Sequence, residues 1–286
     1  MKKIVCCFLL SILSLLTTGC AQMPLGWVGS RAQPVDTSYS AKSQDSRVQY
    51  IIVHFTTIDL PKSLKVLTED VVSSHYLVSD KPPTVYQLVD ENRRAFHAGA
   101  SYWKGATMLN ASSIGIEIVN FGYKETPEGR VWFDFPKEQI DVVIALVKDI
   151  AARHGVKPER ILGHSDIAPG RKNDPGPRFP WKRLADAGLI PWPDAVAVAA
   201  RRVVFEAARP DVKWFQQNLA KHGYSVPQTG ELDAGTRAAL EAFQMRFRPA
   251  NFDGVPDAEC AAILDVLVSS ALPPASAPVP ESTSEK

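Results

Sequence analysis

The sequence predicts an α/β domain over residues 46–190 followed by a small helical domain over 191–270. Three observations predict it. Short β-branched and aromatic runs recur between His-, Gly- and Pro-rich loops. One long amphipathic segment lies among them. After Ile190-Pro191-Trp192-Pro193 the apolar spacing becomes purely helical. Two domains also suit a chain of 286 residues with 45% hydrophobic and 22% charged content, which excludes a mainly disordered protein. The formal net charge is +1, so no nucleic-acid partner is expected.

The N-terminus reads as an address. Lys2 and Lys3 precede the apolar run Ile4–Leu16, which at thirteen residues is too short to span a bilayer. Thr17-Thr18-Gly19-Cys20 follows, and the whole resembles a bacterial lipoprotein signal with Cys20 as the lipidated residue. Residues 1–19 would then be the signal peptide. Ala21 in place of an aspartate implies an outer-membrane lipoprotein facing the periplasm. A plain secretory signal with an incidental cysteine is the alternative. Residues 20–45, rich in Ser, Gln, Pro and Gly, read as a tether.

Val48–Phe55 reads as a strand ending near His54. His75–Val78 and Val85–Val89 form a strand pair around a turn at Asp80–Pro83. Ile114–Val119 alternates, with Ile114, Ile116 and Ile118 on one side and Gly115, Glu117 and Val119 on the other. Lys137–His154 places Ile140, Val143, Ile144, Val147, Ile150 and Ala151 at helical spacing, with Pro136 at its start and Gly155 as its cap. In the second domain, three short helices centre on Trp214-Phe215 and Leu219, on Leu240, Phe243 and Phe247, and on Ile263, Leu264 and Leu267. Residues 271–286 read as a disordered tail.

Three of the four cysteines fall within the first twenty residues, so any metal must be held mainly by His, Asp or Glu. His154 and His222 precede glycines at helix ends and read as structural. His54 and His164 each close a strand, where a side chain can leave the core for a cleft. His164 opens a rigid Gly- and Pro-rich loop that runs through Lys172 and Asp174. Two imidazoles and one carboxylate are a common ligand set for a catalytic zinc. Read from spacing alone, two satisfied histidines and a loop-capping aspartate remain the alternative. Glu117, in a strand between isoleucines, is costly to bury unless it faces a polar or metal-bearing cleft.

Val53-His54-Phe55-Thr56, Ser74-His75-Tyr76-Leu77-Val78, Ala95-Phe96-His97-Ala98-Gly99, Asn110 with Ser113-Ile114-Gly115-Ile116-Glu117, and Gly163-His164-Ser165-Asp166 through Lys172-Asn173-Asp174-Pro175-Gly176 resemble the zinc-dependent N-acetylmuramoyl-L-alanine amidases, which belong with phage lysozyme-like amidases and peptidoglycan recognition proteins. The resemblance implies a mixed central sheet flanked by helices with a zinc groove on one face. It implies one Zn2+ held by His54, His164 and Asp174, Glu117 as general acid and base, and Lys172 as stabiliser of the transition state. Peptidoglycan or muropeptides would be the substrate. His75 and His97 line the groove, orient a ligand or make structural hydrogen bonds, three readings that stay open, and Tyr76 and Trp103 are further groove candidates. The helical domain resembles a three-helix peptidoglycan-binding module through Phe215-Gln216, Leu219, Gly223-Tyr224, Thr236–Leu240, Phe243-Gln244 and Asp253-Gly254, with a simple docking helix bundle as the alternative. A non-catalytic recognition or tethering lipoprotein is the competing reading. A monomer is expected.

Overall fold

The computed structural model describes residues 35–270. Cys20 and its signal, and the tail 271–286, lie outside the described residues. Residues up to Gln44 and those from Asp45 form separate units. In the first, the Gln44 side chain donates to Ser40 Oγ and the Ala41 carbonyl.

The second unit begins with β1 (Tyr50–Phe55), α1 (Leu60–Glu69), β2 (Tyr76–Val78) and β3 (Val85–Gln87). A short hairpin, β4 (Tyr102–Trp103) and β5 (Ala106–Thr107), precedes β6 (Ser113–Ile118). A second hairpin, β7 (Tyr123–Thr126) and β8 (Gly129–Trp132), leads to α2 (Lys137–His154). Then come β9 (Ile161–Gly163), the single turn α3 (His164–Ile167) and α4 (Trp181–Asp186). The chain closes with α5 (Ala195–Ala207), α6 (Val212–His222), α7 (Ala234–Phe247) and α8 (Ala258–Ser270).

The main sheet has the order β3-β2-β6-β1-β9. β2, β6, β1 and β9 run parallel and β3 pairs antiparallel, so the sheet is mixed. On one face, Ile51, Val53, Ile114, Ile116 and Ile118 pack against Ile140, Val143, Val147 and Ile150 of α2. The helix ends as its sequence predicts, with Gly155 at φ 67°, a left-handed conformation that glycine adopts without a Cβ clash.

The other face carries the alternate residues. Tyr50, Ile52 and Leu162 share a core with Phe215, Leu219, Tyr224, Leu240, Phe243 and Leu264 of the helical region. The sequence boundary at Ile190–Pro193 is therefore not a boundary in packing: the C-terminal helices are the layer that seals part of this face. Four helices stand there where three were expected. α5 escaped notice because its Ala-, Val- and Arg-rich sequence buries no residue fully. Its start was nonetheless written in Asp194, which accepts the backbone N–H of Ala197 at 2.8 Å. Asp211 and Asp233 cap α6 and α7 in the same way.

A buried ion pair ties the helices to the sheet. Asp166 Oδ2 accepts from Arg246 Nη1 at 2.6 Å and from Gly163 N–H at 2.8 Å. Its Oδ1 accepts the Tyr224 hydroxyl at 2.6 Å. With three donors satisfied, the carboxylate is paired as burial requires.

Candidate active site

Three neighbouring strand ends assemble the site. Parallel register sets His54 beside Glu117, and on the other side of β1 it pairs Val53 with Gly163, the residue before His164. The carboxyl ends of parallel strands are where open α/β sheets form clefts. The loop after α3 folds back so that Ser165 N–H donates to the Asp174 carbonyl at 2.8 Å. Gly163 permits that return: a Cβ there would stand 2.8 Å from Pro175 Cδ.

Three donor atoms converge. His54 Nδ1 lies 3.0 Å from His164 Nδ1 and 2.9 Å from Asp174 Oδ2, and His164 Nδ1 lies 3.1 Å from the same oxygen. All three residues are buried. Burial, then the neighbouring His164, pushes the His54 imidazolium down to about 4, so the ring is neutral near neutral pH. Burial works against ionisation of Asp174, but the two histidines outweigh it and hold its carboxyl well below the usual range. His164 Nε2 faces the Ala98 carbonyl at 3.1 Å. A carbonyl only accepts, and it lies nearer than Arg171 Nη2 (3.4 Å), whose own bond goes to the same carbonyl at 2.7 Å, so the proton sits on Nε2 and Nδ1 presents a bare lone pair. Two imidazole nitrogens and an ionised carboxylate this close repel unless a cation lies among them. The donor set fits a divalent ion, and its N2O composition suits zinc.

Glu117 Oε1 stands 4.0 Å from His54 Nδ1, and its Oε2 is buried with no hydrogen-bond partner. Burial, then the charge of Asp174, pushes the Glu117 carboxyl well above its ordinary value, and Lys172 opposes this. A carboxyl so placed can hold and release a proton. Lys172 is exposed and lines the same groove, a cleft of about 560 Å³ that also contains His54, His97, His164 and Asp174.

The groove's outer walls were not legible beforehand. α1 supplies Val66 and Leu67, the second hairpin supplies Tyr123 and Arg130, and α7 supplies Glu241 and Met245. The helical region is thus part of the cleft as well as part of the core.

A family model described as N-acetylmuramoyl-L-alanine amidase matches residues 44–177, and a peptidoglycan binding domain model matches 208–264. The N-acetylmuramoyl-L-alanine amidase AmiD of Escherichia coli K12 is 40% identical over 268 residues, covering 91% of this chain and 96% of AmiD. The chain belongs to the N-acetylmuramoyl-L-alanine amidase family. Among solved structures of this amidase family, E. coli AmiD in complex with the substrate anhydro-N-acetylmuramic acid-L-Ala-D-gamma-Glu-L-Lys superposes with a TM-score of 0.76 at 39% identity, covering 86% of this chain and 98% of that one. AmpDh3 of Pseudomonas aeruginosa in complex with anhydromuramic pentapeptide gives 0.76 at 37% identity, over 82% and 96%.

Of the nine residues of this amidase singled out from sequence within the described range, six meet at the groove: His54, His164, Asp174, Glu117, Lys172 and His97. The other three lie away from it: His75 takes the structural alternative, and Tyr76 and Trp103 depart from the groove reading. His75 is fully buried, its Nδ1 accepting Gly115 N–H at 3.0 Å and its Nε2 facing the Arg93 carbonyl, so it braces strand β6 rather than substrate. Tyr76 points to the α2 face and donates to Glu91 at 2.7 Å. Trp103 packs edge-on to Tyr224 and His222 in the shared core. A strand's aromatic residue looks the same in sequence whether it faces a groove or a neighbouring helix. His154, as read, is structural: it bonds Ser46 and Glu91.

Proposed function

We propose that this chain hydrolyses the amide joining the lactyl group of N-acetylmuramic acid to L-alanine, using zinc held by His54, His164 and Asp174. The convergence of two imidazole Nδ1 atoms and one carboxylate oxygen beside Glu117 carries this reading. Zinc, when bound, supplies Lewis acidity that brings water to a pKa of about 7 and polarises a carbonyl. Glu117, buried and unpartnered at Oε2, takes the proton from the attacking water and returns it to the departing alanine nitrogen. Lys172 reaches the groove from the loop before Asp174 and stabilises the negative charge that develops on the carbonyl oxygen. The groove walls hold the amide against these groups.

Muropeptides with anhydromuramic ends belong to the substrate range, because the related AmiD and AmpDh3 structures hold such ligands. A monomer is proposed as its state. The sequence pattern around Cys20 supports a lipid anchor in the outer membrane, facing the periplasm. The match of residues 208–264 to a peptidoglycan binding domain supports wall contact by the helical region.

Digestion of purified wall sacculi tests the activity. The expected products are peptides with free L-alanine amino termini; a chelator abolishes their release and added zinc restores it. Binding of sacculi without new amino termini would instead establish a recognition protein.

A further inference from the structure

One segment touches both histidines of the metal set. His54 Nε2 lies 3.0 Å from His97 Nδ1, and His97 Nε2 lies 3.1 Å from Ser113 Oγ. Ser113 Oγ itself donates to the Leu109 carbonyl at 2.6 Å. That last bond sets the direction of the chain. The hydroxyl proton is committed to a carbonyl, so Ser113 Oγ accepts from His97 Nε2–H. His97 Nδ1 is then a lone pair and accepts from His54 Nε2–H. His54 Nδ1 is left bare, aimed at Asp174 and His164.

The next residue does the same for the second histidine, since the Ala98 carbonyl accepts His164 Nε2–H. Both residues are pinned by one side chain: Asn110 Oδ1 accepts the backbone N–H of His97 at 3.0 Å and of Ala98 at 2.7 Å. The seat for the His97 ring is Gly115, where a Cβ would come within 2.5 Å of His97 Cγ. Ser113, Gly115 and Glu117 are alternate residues of β6 and share the groove face.

We propose that His97, oriented by Ser113 and seated over Gly115, together with the Ala98 carbonyl held by Asn110, fixes the proton positions of both His54 and His164 so that each presents Nδ1 to the metal. This rests on the zinc reading above for its consequence, but the proton positions themselves belong to the protein alone. His97 is a positioning residue: within the described residues its ring nitrogens are used by His54 and Ser113.

Two readouts on the full chain test this. Zinc affinity is measured by competition with a chromophoric chelator for the parent, His97→Leu, His97→Gln and Ser113→Ala. Loss of a partner that orients a metal-binding histidine weakens binding about 10- to 100-fold, and that is the expectation for His97→Leu. His97→Gln, whose amide can accept from His54 and donate to Ser113, should recover most of the affinity. Long-range proton–nitrogen NMR of the metal-free protein at neutral pH reads the tautomer directly. His54 should carry its proton on Nε2 in the parent and lose that preference in His97→Leu. Parent-like zinc affinity in His97→Leu, or an Nδ1-protonated His54 in the metal-free parent, would overturn the proposal. A parent that binds no zinc but shows the expected tautomer would defeat only the zinc reading. Should His97→Leu fail to fold, the same two measurements on Ser113→Ala decide.

Discussion

On the α2 side of the sheet, Ile51, Val53, Ile114, Ile116 and Ile118 meet a helix stripe and bury no ionisable side chain of their own. One residue along each strand, the opposite side presents Ile52, His54, Gly115 and Glu117, half sealed by the C-terminal helices and half open as the groove. The same six-residue strands thus supply a dry layer and a reactive one, separated only by the period-2 alternation of the backbone. The difference teaches that chemistry here is held by a rigid floor whose underside is fully packed. The floor resists the sub-ångström shifts that a converging donor set cannot tolerate.

The comparison can be broken most severely at Glu117. Glu117→Gln keeps the shape and removes the proton carrier, so amide hydrolysis should fall by about 10²- to 10⁴-fold while bound zinc stays near the parent level. Steady-state rates on a muropeptide, paired with metal analysis, check this; an unchanged rate would assign the proton transfer elsewhere. Next comes Arg246→Ala, which removes a partner of the buried Asp166 and should cost about 3–5 kcal/mol of stability, read by denaturant unfolding. Because the helices and sheet share a core, the loss should show as one shifted transition rather than as early melting of residues 191–270 alone.

On the dry side, Ile140→Val should cost only about 0.5–1.5 kcal/mol and leave turnover per folded molecule unchanged. A last effect concerns pH. Arg153, chiefly, with His154 and Tyr76, holds the Glu91 carboxyl down to about 2 from 4.5, against the pull of burial. A carboxyl depressed on folding stabilises the protein above its unfolded value and loses that contribution as pH falls. Stability should therefore decline as pH drops from about 4.5 to about 2, and Glu91→Gln should flatten that limb in acid-unfolding curves.

How far the sequence could be read follows from the same geometry. β6 announced itself because its isoleucines alternate with Gly115 and Glu117. β1 showed no alternation, since helices cover both its faces and all six residues are buried. The metal set was visible as residue types at strand ends, and its convergence depends on the register that places His54, Glu117 and Gly163 on adjacent strands. What stayed hidden depended on tertiary approach. Nothing local tells that His97 meets His54, forty-three residues away, while His75 does not. Likewise the apolar positions of α7 read as an independent bundle core, although they close the sheet and the groove.

The link from Asp166 to Arg246 spans eighty residues of chain. During synthesis, the strand bearing His54 emerges early, and the turn bearing His164 follows it. The guanidinium and phenol that anchor Asp166, two residues past His164, arrive only with the last third of the polypeptide. Until then one side of the sheet lacks the cover that α6, α7 and α8 provide, and the buried carboxylate has no cation. A ribosome stalled before α7 leaves a fragment marked by exposed apolar surface for chaperones and proteases to find.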